Sequence, residues 1–168
     1  MDLLIRTETR QDIESIGEVN QLAFGQDDEG ALVDALRAGC DAVLSMVAEV
    51  DGRVIGHILY SELAIIADGQ TTRAIALAPM SVRPEFQRQG IGSQLIETSL
   101  RKCRDDGHQI VIVLGHPDYY PRFGFSAPLA KPLKSPYAGD SFMALELVPG
   151  ALQGVIGTVR YAAPFEAL

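Results

Sequence analysis

The sequence predicts a mixed α/β fold, classed as α+β by some schemes, with a mostly antiparallel central sheet flanked by helices. Strand-like segments in the first half of the chain are joined by short glycine-containing turns. A strongly amphipathic helix pattern follows residue 90. An apolar run without alternation comes after it, as expected for a strand buried on both faces. Together these observations predict a βαβ unit inserted into an antiparallel meander.

The first part of the chain predicts a strand and two helices. Residues 3–6 form a short apolar strand pattern, and Thr9 supplies a capping hydroxyl for a helix over residues 10–23. A second, acidic helix begins at Asp28 and ends near Gly39. These elements lead into the sheet.

The middle of the chain predicts three antiparallel strands. Strands over residues 43–50 and 54–66 flank Asp51-Gly52, a strong hairpin signal. A turn at residues 67–70 leads to a third strand over residues 72–82. Pro79 lies in that strand and has no N–H to donate, so we expect a bulge or a splayed position there.

The helix that begins at residue 91 has one apolar side. A spacing of about 100° per residue places six residues on that side: Ile91, Leu95, Ile96, Ser99, Leu100 and Cys103. Asp106-Gly107 ends the helix, and residues 110–114 form the buried strand. This order predicts a helix packed on the sheet.

The last part of the chain is less regular. The proline-rich segment 126–139 predicts a loop, and residues 141–148 and 155–161 predict two final strands. The total of 168 residues fits a single domain over residues 1–168.

Composition favours an ordinary globular protein of the cytoplasm. Apolar residues make up 47% and charged residues 21% of the chain. The N-terminus lacks the pattern of a signal peptide, and no run approaches the roughly 18 apolar residues of a membrane span. Cys40 and Cys103 are too few for a disulfide framework or a zinc site, so no metal is expected.

Charge is unevenly distributed. The net charge is −8, and residues 1–70 contain 14 acidic and four basic residues. An acidic chain is a poor general binder of nucleic acid, so no nucleic-acid partner is expected. Basic residues gather near residue 90, where Arg83 and Arg88 could meet a small anionic ligand.

The loop Gln87-Arg88-Gln89-Gly90-Ile91-Gly92 joins the third meander strand to the amphipathic helix. Its glycines allow backbone N–H groups to turn inward, and the first turn of the helix adds unpaired donors and a positive dipole. The loop therefore predicts a phosphate-bearing ligand. It lacks the Gly-Lys-Ser/Thr of a nucleotide-hydrolase P-loop and the first glycine of a dinucleotide fingerprint.

A second motif, Tyr120-Pro121-Arg122-Phe123-Gly124-Phe125, follows about 30 residues later. The loop, with Gln87, Gly90 and Gly92, and this motif, with Tyr120, Gly124 and Phe125, together resemble the GNAT superfamily of acyl-CoA-dependent N-acyltransferases. The similarity extends over nearly the whole chain. Residues 113–125 are most similar to the YhbS-like branch of predicted acetyltransferases.

The resemblance implies acetyl-CoA as donor and no metal cofactor. The pyrophosphate would bind the loop, and the pantetheine arm would bind a splayed strand end. The implied binding residues are Met80, Ser81, Val82, Gln87, Arg88, Gln89, Gly90, Ile91, Gly92 and Ser93. An N–H near Met80 would stabilise the oxyanion.

The resemblance also implies direct attack by a primary amine on the thioester. Tyr120 is the implied general acid for the departing thiolate, with Tyr119 as the alternative, because Pro121 disfavours helical geometry at Tyr120. For the general base, Glu62, His57 and His116 stay open.

The acceptor partner is not specified by the residues. The acidic first segment would suit a cationic small molecule or a peptide or protein amine, with Asp27, Asp28 and Glu29 as candidate contacts. A homodimer is compatible with the final strands. The alternative function is a non-catalytic acyl-CoA sensor or interaction module that keeps the pocket.

Overall fold

The structure is a computed structural model that describes residues 2–167. The strands are β1 (Leu3–Thr7), β2 (Ala42–Val50), β3 (Arg53–Ala67), β4 (Gln70–Val82), β5 (Ile110–Leu114), β6 (Leu133–Lys134), β7 (Phe142–Glu146) and β8 (Gly157–Tyr161). The α-helices are α1 (Ile13–Phe24), α2 (Asp28–Ala38), α3 (Ile91–Asp105) and α4 (Ala127–Ala130). Short 3-10 helices cover Arg10–Asp12, Pro84–Phe86, Tyr120–Phe123 and Ala163–Ala167.

The strands form one mixed sheet. The order along its main path is β1-β2-β3-β4-β5-β7, and β8 pairs with the second half of β3 and with β6. The pairs β4–β5 and β6–β8 are parallel, and the other strand pairs are antiparallel. The predicted mixed, mostly antiparallel sheet is therefore confirmed.

Local sequence explains the first half of the fold. The Asp51-Gly52 turn has positive φ at both residues, 50° and 79°, which matches the twist of the β2–β3 hairpin. Before α1, the N–H of Thr9 donates to the Asp12 carboxylate at 2.6 Å in a capping box. The predicted first helix thus starts with a 3-10 turn.

Helices cover both faces of the sheet. The predicted apolar side of α3 is confirmed, because the six residues named for it are the buried ones of the helix. All of them except Ser99 join the largest core cluster with side chains such as Ile58, Tyr60 and Val113. The opposite face packs against α1 and α2 through residues such as Ile16, Leu36 and Leu59.

The sheet opens between β4 and β5. These strands pair only from Ile75 to Leu77 on β4 and from Val111 to Val113 on β5. Beyond Leu77 the two strands part, and the β3–β4 register shifts between Ile58 and Tyr60. That shift inserts an extra residue in β4 beside Pro79, so the expected bulge is confirmed. The splayed strand end creates a cleft.

The C-terminal part departs from the sequence-based expectation. Segment 126–139 is not a plain loop, because it contains α4 and β6. The Ser126 side chain accepts from the Leu129 N–H at 3.2 Å and caps α4. The two final strands, β7 and β8, pair with β5 and β3. Within residues 2–167, no helix is both long and apolar enough to cross a membrane.

Candidate active site

The opening between β4 and β5 is part of a cleft of about 760 Å³. The end of α1, the end of β4, the loop before α3 and the segment after β5 surround it. The residues that line it are Ala23, Phe24, Met80, Ser81, Val82, Phe86, Gln87, Arg88, Gly90, Ile91, Gly92, Ser93, His116, Tyr119 and Arg122. The predicted loop and the segment before Tyr120 thus meet at one site.

The loop before α3 presents main-chain donors to the cleft. Arg88 and Gly90 have positive φ values of 62° and 81°, which turn the chain sharply into the helix. Gly90 is the N-cap of α3 and has no side chain to occupy the free N–H groups of the first turn. The Gln87 side chain donates to the Val82 carbonyl at 2.9 Å and fixes the loop to β4.

Gly92 keeps the floor of this loop open. A Cβ at Gly92 would lie 3.3 Å from Met80 Cε and 3.4 Å from the Tyr119 hydroxyl. Any larger side chain would fill the space between the loop and both walls of the cleft. The arrangement fits a group of phosphate size held by backbone N–H groups.

The end of β4 has free main-chain groups of its own. The Arg83 N–H donates to the Ile55 carbonyl at 2.8 Å. Because bonded and non-bonded positions alternate along an antiparallel pair, Ser81 also faces β3 with its backbone. Met80 and Val82 therefore direct their main-chain groups away from β3, toward the open side of the sheet.

The charges around the cleft are positive. Arg88 lines the loop wall, and the Arg122 guanidinium lies 5.5 Å from the centre of the Tyr119 ring on the other wall. None of the described residues that line the cleft carries a carboxylate. Arg83, expected near the ligand, is 9% exposed and pairs with Glu18 and Glu85 at 3.2 and 2.8 Å. The positive charge of Arg83 is therefore balanced by these two carboxylates within the protein.

The two adjacent tyrosines occupy different places. The Tyr119 hydroxyl lies in the cleft, 3.1 Å from the Ser93 hydroxyl at the start of α3. Tyr120 is 8% exposed, and its ring fills the space beside Gly115, where β5 has ended. Burial raises the pKa of Tyr120 to about 12. Tyr119 thus lines the phosphate end of the cleft, whereas Tyr120, the predicted general acid, is not among the residues that line it.

The candidate bases are dispersed. His116 lines the cleft, and its carbonyl accepts the N–H groups of Tyr119 and Tyr120 at 3.1 and 3.2 Å. Glu62 is not among the cleft residues. Its carboxylate pairs with Arg73, and that hydrogen bond lowers the pKa of Glu62. The structure therefore brings His116, but not Glu62, to the predicted site.

His57 belongs to a hydrogen-bonded row that runs from buried to partly exposed side chains, which we call the α1 polar chain: Asn20, His57, Ser45, Glu8 and Arg37. The Asn20 amide NH2 lies 3.2 Å from His57 Nδ1, so His57 carries its proton on Nε2 and donates to Ser45 at 2.9 Å. Ser45 donates to Glu8, which pairs with Arg37 at 3.0 Å. Burial, aided by the charge of Arg37, lowers the pKa of His57 to about 3.

The sequence analysis missed four residues that line the cleft: Ala23, Phe24, Phe86 and Arg122. Arg122 lies inside the Tyr120–Phe125 motif and could have been found from its place there. Ala23 and Phe24 lie at the end of α1 and reach the cleft through the packing of α1 against β4, which no local pattern reveals. Among the described residues, no cluster of three or more His, Cys, Asp or Glu residues could hold a metal ion.

Comparison with known proteins gives a consistent picture. A family model described as an acetyltransferase (GNAT) domain matches residues 4–127. The uncharacterized N-acetyltransferase YhbS of Escherichia coli is 32% identical over 162 residues, covering 95% of this chain and 96% of that protein. The uncharacterized N-acetyltransferase YjhQ of Escherichia coli is 38% identical over 133 residues, which cover 78% of this chain and 68% of that protein.

Solved structures match over nearly the full length. The structure of Escherichia coli YhbS in complex with CoA has a TM-score of 0.90 at 32% identity, covering 98% of this chain and 92% of that one. A GNAT family acetyltransferase from Brucella melitensis in complex with acetyl-CoA has a TM-score of 0.81 at 37% identity, covering 98% of each chain.

Proposed function

The chain belongs to the GNAT acetyltransferase family, and from this membership we propose that it transfers an acetyl group from acetyl-CoA to a primary amine. The amine attacks the thioester directly while both substrates are bound. One observation carries the proposal: the uncapped loop before α3 and the open end of β4 face the same cleft. We also propose that residues 1–168 work as one domain in the cytoplasm.

The donor half of the cleft fits acetyl-CoA. The pyrophosphate needs a dense set of donors, which the backbone N–H groups of residues 88–93 supply, with the dipole of α3 behind them. Gln87 holds the loop in place, and Gln89 donates to the Glu85 carbonyl at 3.3 Å. Arg88 adds the positive charge that Arg83, already paired, does not supply.

The acyl end fits the splayed strand. The Met80 carbonyl and the Val82 N–H are directed to the open side of β4, where they can pair with the amide groups of the pantetheine arm, whereas the Val82 carbonyl already accepts from Gln87. The Met80 N–H is the proposed donor to the thioester oxygen, on which negative charge develops during attack. Ser81 lies between them with its backbone toward β3.

We assign the general acid to Tyr120 rather than Tyr119. Tyr119 contacts Ser93 beside the phosphate loop, and the long pantetheine arm separates the phosphates of acetyl-CoA from its sulfur. The Tyr120 ring packs beside Gly115, the residue that follows β5, and β5 is the strand from which the end of β4 parts. A raised pKa keeps the Tyr120 hydroxyl protonated at neutral pH, as a proton donor to the departing thiolate requires.

We assign the general base to His116, because its side chain lines the cleft and it follows β5 directly. Glu62 is engaged by Arg73 outside the cleft, and both ring nitrogens of His57 are hydrogen-bonded in the α1 polar chain.

The acceptor is proposed to be a cationic small molecule or a peptide or protein amine. Asp27 and Asp28, which are exposed, and Glu29, which is half-buried, follow α1, whose last residue lines the cleft. They would attract a second positive charge on the acceptor without contacting its reacting amine. We also propose that two copies of the chain form a homodimer through the final strands, β7 and β8.

The test is thiol release from acetyl-CoA in the presence of butylamine, spermidine and a lysine-containing peptide, with product masses measured for each. We expect acetylated amine and stoichiometric CoA thiol from the wild type. Tight, saturable binding of CoA with no thiol release on any amine would overturn the proposal and indicate a non-catalytic acyl-CoA-binding module.

A further inference from the structure

Two exposed arginines line the cleft without an acidic partner. Salt bridges engage five other arginines: Arg6, Arg37, Arg53, Arg73 and Arg83. Within residues 2–167, neither Arg88 nor Arg122 meets a carboxylate in this way, although the guanidinium groups of both reach the cleft wall. An unpaired guanidinium in a cleft lined by no carboxylate is available to an anionic ligand.

The position of Arg122 is set by Tyr119. The Arg122 guanidinium carbon lies over the Tyr119 ring, 5.5 Å from its centre, which is a cation–π distance. The same ring packs edge-to-face against Phe123, with ring centres 5.2 Å apart. Its hydroxyl lies 3.1 Å from the Ser93 hydroxyl in the first turn of α3. Arg122 is therefore held beside the phosphate loop, over the face of a ring whose other end reaches the loop.

Acetyl-CoA carries phosphate in two places, the pyrophosphate and a phosphomonoester on the 3′ oxygen of its ribose. The proposed function already assigns the pyrophosphate to Arg88 and the backbone N–H groups of residues 88–93. The ribose separates the 3′-phosphate from the pyrophosphate, so its partner should lie beside the loop rather than within it. Arg122 has that position. A phosphomonoester carries close to two negative charges at neutral pH, and a guanidinium can donate two parallel hydrogen bonds to it.

We propose that Arg122 binds the 3′-phosphate of acetyl-CoA and makes the cleft selective for CoA over 3′-dephospho-CoA. This inference rests on the proposed function and adds to it a second phosphate site on the opposite wall of the cleft. Tyr119 positions the guanidinium through its ring face. The two unpaired arginines therefore bind different phosphates of one ligand, Arg88 the pyrophosphate and Arg122 the 3′-phosphate.

The experiment is calorimetric titration of CoA and of 3′-dephospho-CoA into the wild type, Arg122→Gln, Arg122→Lys, Arg88→Gln and Arg10→Gln. Each protein yields the ratio of its two dissociation constants, in which a general effect of the substitution on the cleft cancels. Arg10 is the matched control, because it is exposed, forms no salt bridge among the described residues and does not line the cleft.

The wild type is expected to bind CoA about tenfold more tightly than 3′-dephospho-CoA, the effect of one charge-assisted pair at an exposed position. Arg122→Gln removes this preference by weakening the binding of CoA alone. Arg122→Lys keeps the charge but loses the paired hydrogen bonds, so its preference is intermediate. Arg88→Gln weakens both ligands and keeps the preference, and Arg10→Gln changes neither constant.

Equal affinity of the wild type for the two ligands would overturn this inference and leave the proposed function standing. The same holds if Arg122→Gln weakens both ligands by one factor, or if the preference is lost in Arg88→Gln or Arg10→Gln instead. Binding of neither ligand by the wild type would overturn the proposed function and this inference together.

Discussion

The cleft and the α1 polar chain contain the same kinds of side chain in opposite states. In the α1 polar chain, His57, Ser45 and Glu8 satisfy one another through hydrogen bonds, and His57 is fully buried. In the cleft, His116 and Arg88 make no side-chain hydrogen bond among the described residues, and the N–H groups at the start of α3 have no capping side chain. Paired polar groups hold the fold, and unpaired ones are available to a ligand. The difference separates structural from functional residues of the same type.

The two neighbouring tyrosines, Tyr119 and Tyr120, should differ most in their effect on activity. We expect Tyr120→Phe to lower kcat by about 100-fold or more, since loss of a general acid typically costs 10²–10⁴-fold. Tyr119→Phe removes only the contact with Ser93 and should lower kcat/KM less than about tenfold. Steady-state kinetics with acetyl-CoA and an acetylated amine measure both. A larger loss of kcat in Tyr119→Phe than in Tyr120→Phe would indicate that Tyr119 is the general acid.

The histidine pair should differ in stability against pH. The unfolded chain binds a proton at His57 below about pH 6.5, whereas folded His57, with its pKa lowered to about 3, does not. His57 therefore makes the free energy of unfolding fall as pH drops from about 6.5 toward 3. We expect His57→Gln to weaken this dependence in urea titrations and to cost about 1–3 kcal/mol at pH 7.

His116→Gln is the matched control for that titration. His116 is exposed at the cleft, so its replacement should lower kcat while leaving the free energy of unfolding at pH 7 nearly unchanged. If the two variants gave the same unfolding profile from pH 7 to pH 4, the assignment of His57 to a structural role would be wrong.

The two arginines near the phosphate loop, Arg83 and Arg88, should show the smallest difference, and it should appear in KM for acetyl-CoA. Arg88→Gln is expected to raise KM for acetyl-CoA about tenfold, an effect that shrinks as salt screens the phosphate charges. Arg83→Gln should leave KM nearly unchanged and lower the melting temperature, because Arg83 pairs with Glu18 and Glu85. Equal effects of both variants on KM would indicate that Arg83 also reaches the ligand.

Local sequence predicted most of the fold because local physics determines it. The Asp51-Gly52 turn, the apolar side of α3 and the bulge at Pro79 each follow from residues within a few positions. Segment 126–139 was harder, since its prolines indicate a loop although Ser126 caps a short helix there. Pairing of β8 with β3 joins residues far apart in sequence, so no local pattern specifies it.

The site was predictable in its donor half and less so in its acceptor half. The phosphate loop is a contiguous motif whose chemistry can be inferred from its glycines. Glu62 has the right chemistry for a base, but only the fold reveals that Arg73 lies opposite it.

The central claim is that unpaired main-chain donors around Gly92 bind the phosphates of acetyl-CoA. Calorimetric titration of CoA into the wild type, Gly92→Val and Gly17→Val tests it most directly. Gly17 lies in α1, where an added Cβ meets no atom within 4 Å, whereas one at Gly92 fills the loop. The account predicts at least about 100-fold weaker binding for Gly92→Val, because several charge-assisted hydrogen bonds are lost together, and wild-type affinity for Gly17→Val. Equal CoA affinity in all three proteins would contradict it.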